Sequence, residues 1–271
     1  MIAIHSVAGI LPTGALTRPA RPFRAPHHTI STAGLVGGGS PQRPGEASLA
    51  HLGVLFLDEM LEFPRHTLDA LRQPLEDGHV VIARAAGSVR YPARFTLIGA
   101  MNPCPCGRAG DPTGRCTCSA SDILRYRSRL SGPLVDRIDL HVNVGAVPLR
   151  LLGGPAGREC SVTVRARVES ARERQRSRYG AFGPAMFNGR VPGRWLEMET
   201  LIDGDARELL ATAAERLGLS ARGYHRVLRV ARTIADLDEE RAIRARCVAE
   251  ALRFRVPPSD AEPSPRSISM A

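Results

Sequence analysis

Two adjacent carboxylates follow a short hydrophobic run in the segment Gly53–Met60, which reads GVLFLDEM. A short and continuous apolar run predicts a strand buried in the sheet of an α/β protein. Side chains at the carboxyl end of such a parallel strand face the ligand-binding crevice. Asp58 could hold Mg²⁺ there through water, and Glu59 could orient or deprotonate an attacking water. The alternative is an acid pair that closes a strand and binds no metal.

An asparagine ends the second predicted buried strand, which lies in RFTLIGAMNP. The amide of Asn102 could position the same water or contact a γ-phosphate. Alternatively, Asn102 forms an Asx turn that caps the loop before the following proline.

Two arginines are further candidates for phosphate contacts. Arg137 lies in LVDRIDLHV, where Asp136 and Asp139 flank it. A planar guanidinium matches phosphate oxygens and could reach the nucleotide of a neighbouring subunit, or Arg137 could form a local ion pair. Arg222 opens the amphipathic segment LSARGYHRVLRVARTIADL, which predicts a helix. It could contact a phosphate from that helix or be a solvated arginine.

Four of the six cysteines lie in a C-x-C-x₉-C-x-C pattern. Two close pairs of thiolates can enclose a tetrahedral Zn²⁺ ion, although C-x-C is tighter than the usual spacing. Three glycines between the pairs would let the loop fold back. Free thiols or a redox pair are the alternatives. The candidate zinc ligands are Cys104, Cys106, Cys116 and Cys118.

The charge of the chain favours polyanionic partners. The 271 residues carry a net charge of +10, and all 37 basic residues are arginine. Such a charge favours nucleic acid or nucleotides, while a compositional bias without any ligand is the alternative. No apolar run is long enough for a transmembrane helix, and the N-terminus does not have the pattern of a signal peptide. We therefore predict a cytoplasmic protein without a membrane partner.

The order of predicted elements divides the chain into an α/β half and an all-α half. We predict an α/β region at residues 1–150, a linker at 151–161, a helical region at 162–256 and a disordered tail at 257–271. In the first region, PRHTLDALRQPLEDG predicts a helix that Gly78 ends and Pro74 kinks. HVVIARAAGSVRYPARF predicts two strands joined by a turn at Ala86, Gly87 and Ser88.

These motifs, in their order and spacing, resemble the magnesium-chelatase-like branch of AAA+ ATPases. The segments that carry the resemblance are GVLFLDE, ARFTLIGAMNP, LSGPLVDRIDLHV and LSARGYHRVLRVARTIADL, and RPFRAPHHTIS and NPCPCG are similar to the ComM/YifB group. The resemblance implies that Asp58 and Glu59 are the Walker B acids, Asn102 is sensor 1, Arg137 is the arginine finger and Arg222 is sensor 2. Asp58, Asn102 and Arg222 would then bind the nucleotide and its Mg²⁺.

The resemblance also implies a fold, an activity and partners. The fold would be a partial AAA+ parallel-sheet core followed by an all-α lid domain. The family forms homohexameric rings that couple the hydrolysis of ATP, with Mg²⁺, to movement on DNA such as branch migration. The predicted hairpin would point into the pore, which makes Arg84 and Arg90 candidate DNA contacts unless it is an ordinary solvated hairpin. His27 and His28 could be structural, close to the nucleotide or ligands of a metal.

One departure from the family pattern concerns the phosphate-binding loop. Without lysine, the 271 residues contain no Gly-x-x-x-x-Gly-Lys-Ser/Thr sequence, whose lysine reaches the β- and γ-phosphates. We therefore expect an N-terminally truncated member that lacks the P-loop strand and helix, is inactive alone and could depend on a separate upstream chain. The alternatives are the motor subunit of a metal chelatase, or a non-enzymatic fragment or partner that joins rings through Arg137.

Overall fold

The computed structural model describes residues 1–10, 20–84, 87–110, 114–145, 159–183 and 186–255. The chain divides into two compact units, Met1–Arg137 and Ile138–Ala271. The first unit contains strands and helices and the second is helical, which confirms the predicted fold class. Most of the predicted linker, residues 151–158, and the whole predicted tail, residues 257–271, lie outside the described residues.

The first unit has seven strands among its described residues. These are β1 (Phe23–Arg24), β2 (Gly37–Gly38), β3 (Arg43–Pro44), β4 (Val54–Leu57), β5 (His79–Arg84), β6 (Gly87–Pro92) and β7 (Thr96–Gly99). Strands β1, β4 and β7 form a parallel sheet in the order β1-β4-β7. Two antiparallel ribbons, β2–β3 and β5–β6, lie apart from it. The parallel sheet is the element that brings the ends of three strands to one edge.

Strand β4 is buried as predicted, whereas β7 is not. Leu55 and Leu57 of β4 are fully buried, but Ile98 of β7 is 46% exposed. Ile98 pairs with Phe56 on the less covered face of the sheet. Among the residues that the structure describes, β4 is the one strand that pairs with β7, so β7 lies at an edge. The prediction of a second buried strand was therefore wrong for the residues seen here, because apolar composition alone does not reveal which strand is covered.

The helices of the described residues are short in the first unit and longer in the second. The first unit has α1 (Ile2–Val7), α2 (Thr32–Val36), α3 (Glu46–Leu49), α4 (Arg65–Asp69), α5 (Arg72–Asp77), α6 (Ala120–Arg127) and α7 (Gly132–Val135). The second has α8 (Ser161–Tyr179), α9 (Gly193–Glu199), α10 (Gly204–Arg216), α11 (Ala221–Leu237) and α12 (Ala245–Arg253). No helix in these described parts is both long and apolar enough to cross a membrane.

The predicted helix after the acid pair is divided into α4 and α5. The break falls at Ala70 and Leu71, one turn before Pro74. Proline lacks the N–H that would bond to the carbonyl four residues earlier, and its ring clashes with that carbonyl. The proline therefore interrupts the helix rather than kinking it. Gly78 ends α5 in the left-handed conformation, with φ 70°, as predicted.

The predicted hairpin is present, but two of the three residues predicted as its turn lie in a strand. Arg84 pairs with Gly87, so Gly87 and Ser88 belong to β6 and not to the turn. Val80 and Ile82 of β5 are buried in the core of the first unit. The hairpin is therefore anchored by one face of β5.

A buried ionic network crosses the core of the second unit. Asp236 of α11 is fully buried. Its carboxylate accepts hydrogen bonds from Arg178 at 2.9 and 2.5 Å and from the Asn188 amide at 2.8 Å, and Arg232 lies 3.0 Å away. Tyr179 donates to Asn188 at 2.7 Å. Arg178, Tyr179 and Asn188 thus link α8 and the Asn188 turn to Asp236 of α11.

Candidate functional site

The acid pair lies directly after β4, at the carboxyl end of the parallel sheet. Both carboxylates are exposed. Glu59 has a left-handed backbone, with φ 49° and ψ 44°, and its N–H donates to Asp58 Oδ1 at 2.9 Å. A left-handed conformation is uncommon for a residue other than glycine and is enriched at functional sites. The turn therefore presents two carboxylates to solvent in an arrangement that the backbone alone does not favour.

Asn102 follows the neighbouring strand at the same edge of the sheet. Leu57 pairs with Gly99, and the Ala100 N–H donates to the Leu57 carbonyl at 2.9 Å. The Met60 N–H in turn donates to the Ala100 carbonyl at 2.8 Å. These bonds hold the chain after β4 against the chain after β7. The structure thus brings the strand end that carries Asn102 beside the strand end that carries the acids, and the Asn102 side chain is exposed there.

A histidine after β1 completes this edge. The Nδ1 atom of His28 lies 3.2 Å from Glu59 Oε2, and its ring lies 4.0 Å from that of His27, centroid to centroid. The sequence alone leaves the roles of His27 and His28 open and connects neither of them with Glu59. The missing signal was strand pairing: β1 runs parallel to β4, so the residues after each strand meet at one edge. His28 is positioned to orient the Glu59 carboxylate.

Arg137 contacts the helix α5 in this structure. Its guanidinium forms an ion pair with Glu76 and donates to the Pro133 carbonyl at 2.6 Å. The turn before it is also tied down, since Ser131 Oγ donates to Asp69 at 2.6 Å. The flanking Asp139 pairs with Arg226 of α11 at 2.5 Å. Arg137 is therefore held within its own unit, by a partner that the sequence did not indicate.

Arg222 lies on the first turn of α11, in the second unit, and its side chain is exposed. Ser220 begins the helix and accepts a hydrogen bond from the Gly223 N–H at 3.1 Å. This capping fixes where α11 starts and therefore where Arg222 stands. One turn later, Arg226 binds Asp139.

The two candidate DNA contacts are on the β5–β6 hairpin. Arg84 is the last residue of β5. Arg90 is exposed, pairs in register with Val81 and lies 3.0 Å from His79 Nδ1. The face of the ribbon that carries Arg90 therefore presents a cation to solvent.

The four predicted zinc ligands lie together between β7 and α6. The Cys104 sulfur is 3.4 Å from that of Cys106 and 3.7 Å from that of Cys116, and the Cys106 and Cys116 sulfurs are 3.6 Å apart. With Cys118 included, all the sulfurs are within 4.8 Å of one another. Cys104 is buried and Cys106 is exposed. The residues that the sequence pattern selected thus form one compact sulfur cluster.

The surroundings of the cluster lower the pKa of one of its thiols and raise the pKa of another. Backbone hydrogen bonds from Thr117 and Arg108 lower the pKa of Cys106 to about 6. For Cys118, a backbone hydrogen bond from Cys106 favours the thiolate, but burial and the thiols of Cys106 and Cys104 outweigh it and raise the pKa to about 12. One thiolate is therefore favoured at neutral pH, and it disfavours a second in the absence of a compensating cation.

Two family models match this chain, and together they cover most of its residues. The family described as "Magnesium chelatase, subunit ChlI" matches residues 1–151, and "Magnesium chelatase, subunit ChlI C-terminal" matches residues 158–255. The chain belongs to the magnesium chelatase ChlI family. The three-stranded parallel sheet with carboxylates at its edge, followed by a helical unit, is the AAA+ fold of this family.

Relatives of this magnesium-chelatase-like chain differ in how much of the chain they match. "Competence protein ComM" of Haemophilus influenzae is 46% identical over 236 residues, which is 87% of this chain and 45% of that protein. "Uncharacterized protein YifB" of Escherichia coli is 44% identical over the same shares. "Magnesium-chelatase 38 kDa subunit" of Acidiphilium rubrum is 42% identical over 60 residues, 22% of this chain and 17% of that protein. The chain thus spans about half the length of the ComM and YifB relatives.

Proposed function

We propose that this chain supplies the acid, asparagine and arginine residues of an ATP-hydrolysing site in a ComM/YifB-type AAA+ protein that remodels DNA, for example by branch migration. The observation that carries the proposal is the convergence of His28, the acid pair and Asn102 at one edge of the parallel sheet. The match to a competence protein over 87% of the chain supports the ComM type.

The residues at the sheet edge fit Mg²⁺ and a nucleotide. Mg²⁺ prefers oxygen ligands and keeps several waters, so an exposed carboxylate such as Asp58 can hold it through water. When bound, Mg²⁺ neutralises charge on the β- and γ-phosphates. Glu59 would accept the proton of the attacking water, with His28 holding its carboxylate, and the Asn102 amide would orient that water or a γ-phosphate oxygen.

The two arginines would complete the site from other parts of an assembly. Arg222 would contact a phosphate from the helical unit. In a homohexameric ring, Arg137 would reach the nucleotide of the neighbouring subunit, where a guanidinium stabilises the charge of the transition state. It would first have to exchange its ion pair with Glu76 for the phosphate. This exchange would make Arg137 sensitive to subunit contact.

The phosphate-binding lysine would come from outside these 271 residues, which contain none. An upstream segment of the same protein or a separate chain could carry it. The exposed edge and face of β7 give such a segment a place to add to the sheet. A cytoplasmic location belongs to this proposal, because ATP and DNA are both found there. Zn²⁺ at the cysteines would have a structural role, apart from the chemistry of hydrolysis.

A metal-chelatase motor is the second candidate, and DNA binding distinguishes it from the ComM type. The match to the chelatase subunit of Acidiphilium rubrum covers 22% of the chain, whereas the match to ComM covers 87%. The net charge of +10 also favours a polyanion such as DNA. A measurement of DNA binding therefore distinguishes a ComM-type protein, which should bind DNA, from a metal-chelatase motor, which need not.

The chain should bind DNA without sequence preference and with a steep salt dependence. Each phosphate contact releases condensed counterions, so the slope of log K against log salt should be about −0.9 per contact on duplex DNA. Replacing both Arg84 and Arg90 with alanine should reduce the magnitude of this slope by about 2. Fluorescence anisotropy with labelled duplexes of two unrelated sequences, over about 50 to 200 mM salt, measures it.

The matched control for this measurement is Arg125→Ala. Arg125 has an exposed side chain on α6, away from the hairpin sequence. The substitution changes the net charge but leaves the hairpin intact. The slope of log K against log salt for this variant should therefore stay close to that of the unmodified chain. Binding that does not depend on salt, or an equal loss in Arg125→Ala, would contradict a DNA-contacting hairpin.

A further inference from the structure

Among the described residues between β7 and α6, most are exposed and Cys104 is the one that is buried. The segment joins β7 to α6, and Gly107, Gly110 and Gly114 within it have positive φ values of 75°, 81° and 66°. An added Cβ at Gly110 or Gly114 would meet no atom within 4 Å. Ordering each residue of such a segment costs about 1–2 kcal/mol of backbone entropy. The fold of this segment therefore needs a source of stabilisation other than apolar burial.

The spacing of the sulfurs is that of a shared metal ion. A disulfide joins two sulfurs at about 2.05 Å, far shorter than the 3.4, 3.7 and 3.6 Å seen here. Zinc–sulfur bonds of about 2.3 Å in a tetrahedron place the sulfurs about 3.8 Å apart. The observed separations are close to this edge length. The geometry thus favours four ligands of one ion over two disulfides.

Backbone groups also support the sulfurs in the manner of a metal site. The Ala109 N–H donates to the Cys104 sulfur at 3.2 Å. Such outer hydrogen bonds orient the side chains that bind the metal and stabilise their negative charge. Cys104 is also fully buried. A buried sulfur that accepts a hydrogen bond from a backbone N–H and lies beside three other sulfurs has the position of a metal ligand.

We infer that Cys104, Cys106, Cys116 and Cys118 form a structural Zn²⁺ site that folds the segment between β7 and α6. Four protein ligands leave no open position for a substrate, which is typical of structural rather than catalytic zinc. The binding of zinc would supply the free energy that orders the segment.

The site would fix both ends of the segment. Cys104 is two residues after Asn102, and the Arg127 guanidinium donates to the Pro103 carbonyl at 3.2 Å. At the other end, Cys118 precedes Ser119, whose hydroxyl accepts a hydrogen bond from the Asp122 N–H at 3.1 Å and caps α6. Loss of the ion would therefore release the residues that lie between these two contacts.

Metal content and the absorption spectrum of the cobalt-substituted protein test this inference on the full chain. After purification under reducing conditions and gel filtration, we expect about one zinc ion per chain, as a four-cysteine site requires. Replacement by Co²⁺ should give the d–d bands of tetrahedral cobalt and intense thiolate-to-cobalt charge transfer. The variant Cys104→Ser/Cys116→Ser should lose both signals. Cys160→Ser, which removes an exposed cysteine outside the cluster, should keep them.

Tryptic cleavage provides a readout that does not depend on a variant. Arg108 and Arg115 are exposed residues inside the segment, so trypsin can cut there once the segment unfolds. With zinc bound, both bonds should resist cleavage, and a chelator should expose them while the rest of the chain keeps its pattern. A reduced, metal-free chain with equal protection in zinc and in chelator would overturn the inference, as would a stoichiometric pair of disulfides under reducing conditions.

Discussion

Replacing Glu59 with glutamine is expected to reduce ATP hydrolysis by about 100-fold or more, which is the usual contribution of a general base. The measurement uses this chain joined to an upstream segment of a ComM-type relative that carries a Gly-x-x-x-x-Gly-Lys-Ser/Thr sequence. Glutamine keeps the shape of the side chain but cannot accept the proton of the attacking water. Asp58, which we propose holds Mg²⁺, is unchanged in this variant, so the affinity for ATP should stay nearly the same.

The matched control is Glu62→Gln, three residues further along the same turn. The Glu62 carboxylate lies 3.0 Å from Arg129 and is partly exposed, so its loss removes a surface ion pair worth about 0–1 kcal/mol. Phosphate release from Glu62→Gln should stay within about twofold of the parent protein. A Glu59→Gln protein that hydrolyses ATP as fast as the parent would exclude Glu59 as the base.

Replacing Asp236 with alanine should destabilise the second unit by about 3–5 kcal/mol, because it leaves buried cations without their anion. Arg178 and the fully buried Arg232 both face this carboxylate, and the Asn188 amide donates to it. Denaturant unfolding can be monitored through Trp195, the single tryptophan of the chain. Its ring lies 5.7 Å from that of Tyr179, centroid to centroid, so its fluorescence reports on this unit.

Asp238→Ala is the control for this stability measurement. Asp238 is two residues further along, partly exposed, and lies 3.3 Å from Arg246. A surface ion pair of this kind contributes about 0–1 kcal/mol, so the unfolding midpoint should move little. If Asp236→Ala and Asp238→Ala unfold at the same denaturant concentration, the buried network does not stabilise the unit as inferred.

The sequence predicted those strands and helices that depend on residues close together along the chain. The continuous run before Asp58 indicated a buried strand, and the residues that follow it lie at the end of β4. Gly78 stops α5 because the chain must turn left-handed there. The amphipathic pattern after Ser220 predicted α11, and its apolar face is buried. In each case the deciding interactions lie within a few residues along the chain.

Pairing between distant segments could not be predicted from such signals. The contact of His28 with Glu59 depends on the register of a strand only two residues long, β1, with β4. One partner of Arg137 is Glu76, which lies 61 residues away in the sequence. Burial is equally non-local: Asp236 stands on a helix with many charged residues, and only the packing of α8 shows that it is buried.

In the proposed function, this chain carries the acid half of an ATPase site and needs a phosphate-binding lysine from elsewhere. Mg²⁺-dependent phosphate release tests it most directly, first with the 271-residue chain alone and then with the upstream P-loop segment joined to it. We predict no release above the Glu59→Gln background from the chain alone, and release that depends on Glu59 from the joined protein. Hydrolysis by the chain alone would contradict the proposed function. Equal rates of hydrolysis by the joined protein and its Glu59→Gln variant would also contradict it.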